Sequence, residues 1–78
     1  METVKVTIDW CNRNYSAFVG EKIGGVVIVT DKSLEGLKKK LQSAVDTHIE
    51  SLGEDAAEWL RSGDYTFEYD FTMSATLQ

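Results

Sequence analysis

Three acidic residues raise the question of metal-dependent phosphodiester hydrolysis, because carboxylates on neighbouring strands can bind divalent cations. Asp9 falls on the polar side of an alternating N-terminal segment, and Glu68 and Asp70 fall on the polar side of a C-terminal one. A two-metal site needs further carboxylates that converge on a cleft. The helix able to supply one is expected on the opposite, apolar side of these segments. We therefore interpret all three as surface charges and predict no catalytic residue, no metal ligand and no cofactor.

One histidine and one cysteine are the other residues with chemical potential. His48 falls within the apolar stripe of a predicted helix, and no Cys, Asp or Glu stands at metal-ligand spacing on that stripe. A nucleophilic pair with Cys11 would need a third, orienting residue and a cleft. We interpret His48 as a residue at the edge of the core whose ring forms one hydrogen bond.

The charge of the chain favours a protein partner over a nucleic acid. Eight Lys and Arg stand against 13 Asp and Glu, which gives a net charge of −5. The basic cluster Lys38-Lys39-Lys40 lies on a predicted helix, where successive side chains point about 100° apart and do not form one patch. Phosphate contacts supply most non-specific affinity for nucleic acids. We therefore expect no nucleic-acid binding by this domain and a basic protein as its partner.

Length and cysteine content favour one small intracellular domain, which we expect to span residues 1–78. Cys11 is the only cysteine, which is typical of a reducing compartment. No stretch approaches the roughly 18 apolar residues of a membrane-spanning helix. The first residues also lack the pattern of a secretory signal. We expect a cytoplasmic protein with no membrane partner.

Four strands are predicted from the apolar pattern. Thr3–Trp10 and Tyr65–Thr72 alternate strictly between apolar and polar residues, which is typical of strands with one face buried. Tyr15–Val19 follows an asparagine-containing turn, so it forms a hairpin with the first strand. Val26–Thr30 is apolar on both faces and supplies the remaining strand.

One long helix and one short helix separate the third strand from the last. Ser33 is a good N-cap residue, and Gly53 is a typical residue to follow the last turn. Residues 54–61 are predicted to form the short helix. The long helix carries an apolar stripe at helical spacing, and this stripe consists of Leu34, Leu37, Leu41, Ala44, Val45, His48 and Leu52.

The order β-β-β-α-(α)-β predicts an α+β fold with a mainly antiparallel sheet and one long helix packed on one face. A right-handed crossover through the helix places the last strand beside the first and parallel to it, in sheet order 3-2-1-4. The third strand is then an edge. We expect Val26 and Ile28 to face the helix and Val27 and Val29 to be exposed. An apolar edge invites pairing with a second chain, so we predict a homodimer whose interface consists of Val26, Val27, Ile28, Val29 and Thr30.

The succession of short segments resembles the N-terminal partner-binding domain of HicB-type antitoxins. In that family a Tyr-Ser-Ala strand precedes a Pro-Gly-Cys turn, a Thr/Ser-Leu-Glu helix start and an Ala-x-x-x-His-x-Glu helix end. The corresponding residues here are Tyr15-Ser16-Ala17, Gly24-Gly25, Ser33-Leu34-Glu35, and Ala44, His48 and Glu50. Ile23 stands in place of the proline and Gly25 in place of the cysteine.

The resemblance implies a truncated ribonuclease H-like fold and a toxin–antitoxin function. The domain would bind and occlude a small, basic, mRNA-cleaving HicA-like toxin. Family members usually continue into a DNA-binding segment, which we expect to be absent from this chain. The alternative is a stand-alone homo-oligomeric module that binds a ligand or protein without a toxin partner. A third hypothesis is a degenerate metal-dependent nuclease built on Asp9, Asp70 and Glu68.

Overall fold

Strict apolar alternation at both ends of the chain produces the two strands at the centre and one edge of a four-stranded sheet. The computed structural model describes residues 1–72. Its elements are β1 (Glu2–Cys11), β2 (Asn14–Val19), β3 (Val27–Asp31), α1 (Leu34–Leu52), a 3₁₀ turn (Gly53–Asp55), α2 (Glu58–Arg61) and β4 (Tyr65–Phe71). The predicted short helix is thus divided into a 3₁₀ turn and one turn of α-helix.

The sheet order is β3-β2-β1-β4, which confirms the predicted topology. β1 pairs with β2 and β2 with β3 in antiparallel fashion, whereas β4 runs parallel to β1. The parallel pairing follows from the crossover through α1. β3 runs in the same direction as β1, and a helical crossover returns the chain to the starting end of the sheet, so β4 also runs in the direction of β1. β3 and β4 are therefore the two edges of the sheet.

A wholly apolar core lies between α1 and one face of the sheet. Within residues 1–72 no polar or charged residue is buried. Leu37, Leu41 and Val45 of α1 join Val6 and Ile8 of β1 in one cluster, and Phe67 and Tyr69 of β4 pack against its side. The predicted helical stripe is thus confirmed as the core face of α1.

The N-terminus of α1 is held by a short polar network. The Ser33 side chain accepts a hydrogen bond from the backbone N–H of Gly36 at 3.0 Å, which confirms its role as N-cap. Asp31 accepts hydrogen bonds from the backbone N–H and the hydroxyl of Ser33 at 3.0 and 3.1 Å. A Cβ atom at position 36 would collide with the Asp31 carboxylate, so glycine here leaves room for that group.

The prediction of which β3 side chains face the helix is wrong. Val27 is buried and Val29 is half-buried on the helix side, whereas Val26 and Ile28 are 57% and 61% exposed. The register with β2 explains this, because Val27 and Val29 lie opposite Val19 and Ala17, both of which face the core. Directly opposed residues in an antiparallel pair share a face. The strand also spans Val27–Asp31 instead of Val26–Thr30.

Within residues 1–72, no helix combines the length and the apolar composition needed to cross a bilayer.

Candidate functional site

The side of the sheet that α1 covers is only partly closed. The backbone of α1 lies closest to β3 and next closest to β2. Along β4, at the far edge, the rings of Tyr65, Phe67 and Tyr69 follow one another with centroid separations of 5.6 and 6.2 Å. Trp59 of α2 extends this row at 6.1 Å from Tyr65. All four side chains are only half-buried, so an aromatic surface remains accessible beside α1.

A groove opens at the Tyr65 end of this row, between the C-terminal half of α1, the 3₁₀ turn, α2 and the start of β4. It encloses about 720 Å³. Its apolar lining comes from Ile49, Leu60 and Tyr65. Three carboxylates of Asp46, Glu50 and Glu54 stand along the α1 side, with Arg61 across from them on α2. We refer to this feature as the acidic groove.

The acidic groove lies in the part of the chain where negative charge is concentrated. Residues 46–70 contain eight Asp and Glu against one Arg, whereas the first 45 residues contain five acidic and seven basic residues. The two ion pairs found within residues 1–72, Lys22–Glu2 and Lys40–Asp31, both lie outside the groove. Among the described residues no Lys or Arg, Arg61 included, forms an ion pair within 4 Å of a groove carboxylate. This excess of acidic residues after residue 45 is visible in the sequence. It is the sequence feature that could have indicated the acidic groove.

A side-chain hydrogen-bond chain links the two walls of the acidic groove. The Gln42 amide Nε2 donates to Asp46 Oδ1 at 2.9 Å and to the Tyr65 hydroxyl at 3.2 Å. Gln42 and Asp46 are one helical turn apart on α1, and Tyr65 belongs to β4. These hydrogen bonds orient the Asp46 carboxylate and connect Tyr65 of β4 to α1.

The three carboxylates considered for metal binding lie on the opposite, open face of the sheet. Glu68 stands beside Lys5 and Asp70 beside Thr7 in the parallel β1–β4 pair. The Asp9 carboxylate accepts a hydrogen bond from the neighbouring Trp10 backbone N–H at 2.9 Å. Within residues 1–72, no group of three or more His, Cys, Asp or Glu is placed to hold a metal ion. The open face therefore presents these three carboxylates as exposed surface charges.

An apolar patch occupies the β3 end of the same open face. Phe18 of β2 lies opposite Ile28 of β3, and the two side chains are 43% and 61% exposed. Val26, immediately before β3, adds a third exposed apolar side chain. We call these three residues the apolar edge patch. The apolar edge patch lies beside the free backbone edge of β3. Of the apolar side chains in the predicted dimer interface, Val26 and Ile28 are the exposed ones.

His48 connects α1 to the loop between β2 and β3 through a hydrogen bond. Its Nε2 lies 2.9 Å from the carbonyl oxygen of Ile23, and the side chain is half-buried. This confirms the interpretation of His48 as a hydrogen-bonded residue at the edge of the core. A Cβ atom at position 25 would stand 2.6 Å from the ring Cε1, so glycine at this position leaves room for the imidazole. Cys11 is exposed at the other end of the sheet, so the two do not pair.

The three consecutive lysines diverge, as predicted. Lys38 places its ammonium 4.7 Å from the centroid of the Tyr69 ring. Lys40 lies 3.0 Å from the Asp31 carboxylate and donates to the Thr30 carbonyl oxygen. The pKa of Asp31 is held below its ordinary value, first by the hydrogen bond from the Ser33 backbone N–H and second by the hydrogen bond from the Lys40 ammonium. Two of the three lysines are thus engaged within the domain and do not offer a phosphate-binding patch.

Comparison with known proteins gives no match: no protein-family model fits the chain, and no curated protein or solved structure is detectably similar.

Proposed function

We propose that this domain is a HicB-like antitoxin that binds a small, basic, mRNA-cleaving HicA-like toxin and covers its active surface. The observation that carries the proposal is the concentration of unneutralised carboxylates between residues 46 and 70. A ribonuclease that binds RNA must present Lys and Arg to phosphates. A folded surface rich in carboxylates competes with RNA for those cations.

The fold supports this proposal at the level of topology. The sheet order β3-β2-β1-β4 with one long helix is the arrangement that the resemblance implies. Occlusion needs a rigid scaffold and a complementary surface, and no bond is made or broken by this chain. Opposite charge on the two partners accelerates their encounter, with rates that fall as salt rises.

The proposed setting is the cytoplasm, where mRNA is the substrate of such a toxin. The direct test is co-expression with the product of the adjacent open reading frame, followed by affinity purification of this domain. We expect a small basic protein to co-purify, and we expect its RNA cleavage to stop at equimolar domain. An adjacent product that does not bind, or that cleaves RNA equally well in the presence of excess domain, would contradict the antitoxin proposal.

A second candidate function is a stand-alone homodimeric module, which the apolar edge patch favours. β3 is a short edge strand, and Phe18, Val26 and Ile28 are exposed beside it. Two β3 edges related by a two-fold axis would pair in antiparallel fashion and extend the sheet across both subunits. The pairing would join the backbones of Val26–Thr30 and place the apolar edge patches of the two subunits side by side on one continuous face.

The dimer is tested by a charge placed on the exposed side of β3. Ile28→Lys should shift a wild-type dimer to monomer without unfolding it, since an edge lysine opposes strand pairing. Val29 is unsuitable for this test because its side chain faces the helix. Thr66→Lys places the same charge on the exposed surface of the other edge strand, β4, and should leave the dimer intact. Sedimentation of the wild type as a monomer at high micromolar concentration would rule out this assembly.

A further inference from the structure

We infer that the acidic groove seats a helix of the partner protein that carries Lys or Arg on one side and apolar residues on the other. The inference rests on the proposed function for the identity of the partner, and on the groove itself for the chemistry. Helix-in-groove binding places the apolar face of an amphipathic helix on a hydrophobic floor. Ile49, Leu60 and Tyr65 provide such a floor in a groove of about 720 Å³.

The spacing of the rim carboxylates defines what the partner must present. Asp46 and Glu50 are four residues apart on α1 and therefore lie on one side of this helix, about 6 Å from each other along its axis. Glu54 lines the groove from the 3₁₀ turn, after the helix has ended at its C-cap Gly53, which has a φ of +59°. A partner helix that runs along α1 meets Asp46 and Glu50 with basic residues separated by three or four positions. Its apolar residues then point toward Leu60 and Tyr65.

Other occupants fit the groove less well. A nucleic acid would meet three carboxylates and one Arg61, which is the wrong sign of charge for phosphates. A second copy of this chain would have to offer an amphipathic helix, yet the apolar residues Leu37, Leu41 and Val45 of its long helix α1 are buried in its own core. Within residues 1–72 the acidic side chains form no group placed for a metal ion. A basic helix of another protein satisfies both the apolar floor and the charged rim.

The first test uses a defined probe, an 18-residue helix-forming peptide with Leu along one face and Lys on both flanks. In a two-dimensional NMR titration of the full chain, we expect amide shifts between residues 42 and 65 and none on the open face of the sheet. A peptide with Glu in place of Lys should cause no shifts. Shifts that map to the apolar edge patch, or the absence of shifts with millimolar Lys peptide, would overturn the inference. Shifts of the groove amides on raising the protein concentration alone would assign the groove to a second copy and would also overturn it.

A pair of matched triple variants separates local recognition from net charge. Asp46→Asn, Glu50→Gln and Glu54→Gln together remove the rim charge and should weaken binding of the Lys peptide by about 10-fold or more at low salt. Glu21→Gln, Glu68→Gln and Asp70→Asn change the net charge equally at exposed positions outside the groove. This control should weaken binding by less than about 3-fold. Equal weakening by both triples would show that only the overall charge attracts the peptide.

The same variants distinguish failure of the inference from failure of the proposed function. A co-purified toxin that binds the rim triple as tightly as the wild type overturns the groove assignment and leaves the antitoxin proposal standing. An adjacent gene product that does not bind at all ends the antitoxin proposal. The Lys-peptide titration then decides alone whether the groove accepts a basic helix.

Discussion

The contact between His48 and Gly25 predicts an energetic coupling that a double-mutant cycle can measure. The cycle consists of the wild type, Gly25→Ala, His48→Ala and the double variant. A Cβ at position 25 would stand 2.6 Å from Cε1 and 3.1 Å from Nε2 of the His48 ring. The ring is held by the carbonyl oxygen of Ile23 at 2.9 Å. An alanine at position 25 must therefore displace the ring and break this hydrogen bond.

The magnitude follows from three contributions. Losing the hydrogen bond costs about 0.5–1.5 kcal/mol, and forcing the ring off its rotamer costs about 0.5–1.5 kcal/mol more. Gly25 also has a φ of +157°, and holding alanine in this sparsely populated region costs about 1–3 kcal/mol in either background. The first two contributions vanish once His48 is alanine. We expect a coupling of about 1–3 kcal/mol, a large share of the roughly 4–12 kcal/mol total of a 78-residue domain.

The assay is urea denaturation of the four proteins at pH 7, with the free energy of unfolding compared around the cycle. Gly63→Ala is the matched control, because Gly63 has a φ of +78° but a Cβ atom at this position would meet no atom from elsewhere in residues 1–72 within 4 Å. It should destabilise through backbone strain alone and add to His48→Ala without coupling. Additivity of Gly25→Ala and His48→Ala within about 0.5 kcal/mol would refute the claim that the imidazole excludes a side chain at position 25.

Three further predictions concern the core, the open face and the helix start. Leu41→Ala at a fully buried position should cost about 2–5 kcal/mol, and an unchanged urea midpoint would show that the core face of α1 is misassigned. The wild type should cleave no RNA with magnesium or manganese, and Asp9→Asn with Asp70→Asn should leave the fold intact; metal-dependent cleavage lost in that double variant would revive the nuclease hypothesis. The pKa of Asp31 is lowered in the folded state, so its stabilisation is present above its ordinary pKa and is lost as pH falls through the lowered one. The stability gap between wild type and Asp31→Asn should accordingly shrink on acidification in urea titrations, and a gap independent of pH would contradict the role of this carboxylate.

The sequence alone was sufficient for the elements with one clearly polar face. In β1 the alternation of Val4, Val6 and Ile8 with polar neighbours determines which side is buried, because a one-residue shift would bury charged groups. In α1 the apolar residues recur at helical spacing, and this stripe likewise determines which side of the helix is buried. Once these faces were known, the crossover rule left one place for β4. The fold class and the sheet order were therefore predictable.

β3 shows where the sequence pattern is insufficient. Val26, Val27, Ile28 and Val29 are all apolar, so no polar residue marks the outward side and both orientations satisfy the same pattern. The hydrogen-bonded register with β2 decided between them, by placing Val27 opposite Val19 in the core. Register depends on the turn and on the neighbouring strand, and neither is encoded in the composition of β3 itself.

The acidic groove also required the tertiary structure. The excess of carboxylates after residue 45 is visible in the sequence, but charge along a chain does not define a surface. Asp46 on α1, Leu60 on α2 and Tyr65 on β4 belong to three elements. They meet in one groove because α1 lies closest to β3 and covers the β4 side of the sheet only in part. Sequence determined which side chains carry charge, and packing determined that they surround an apolar floor.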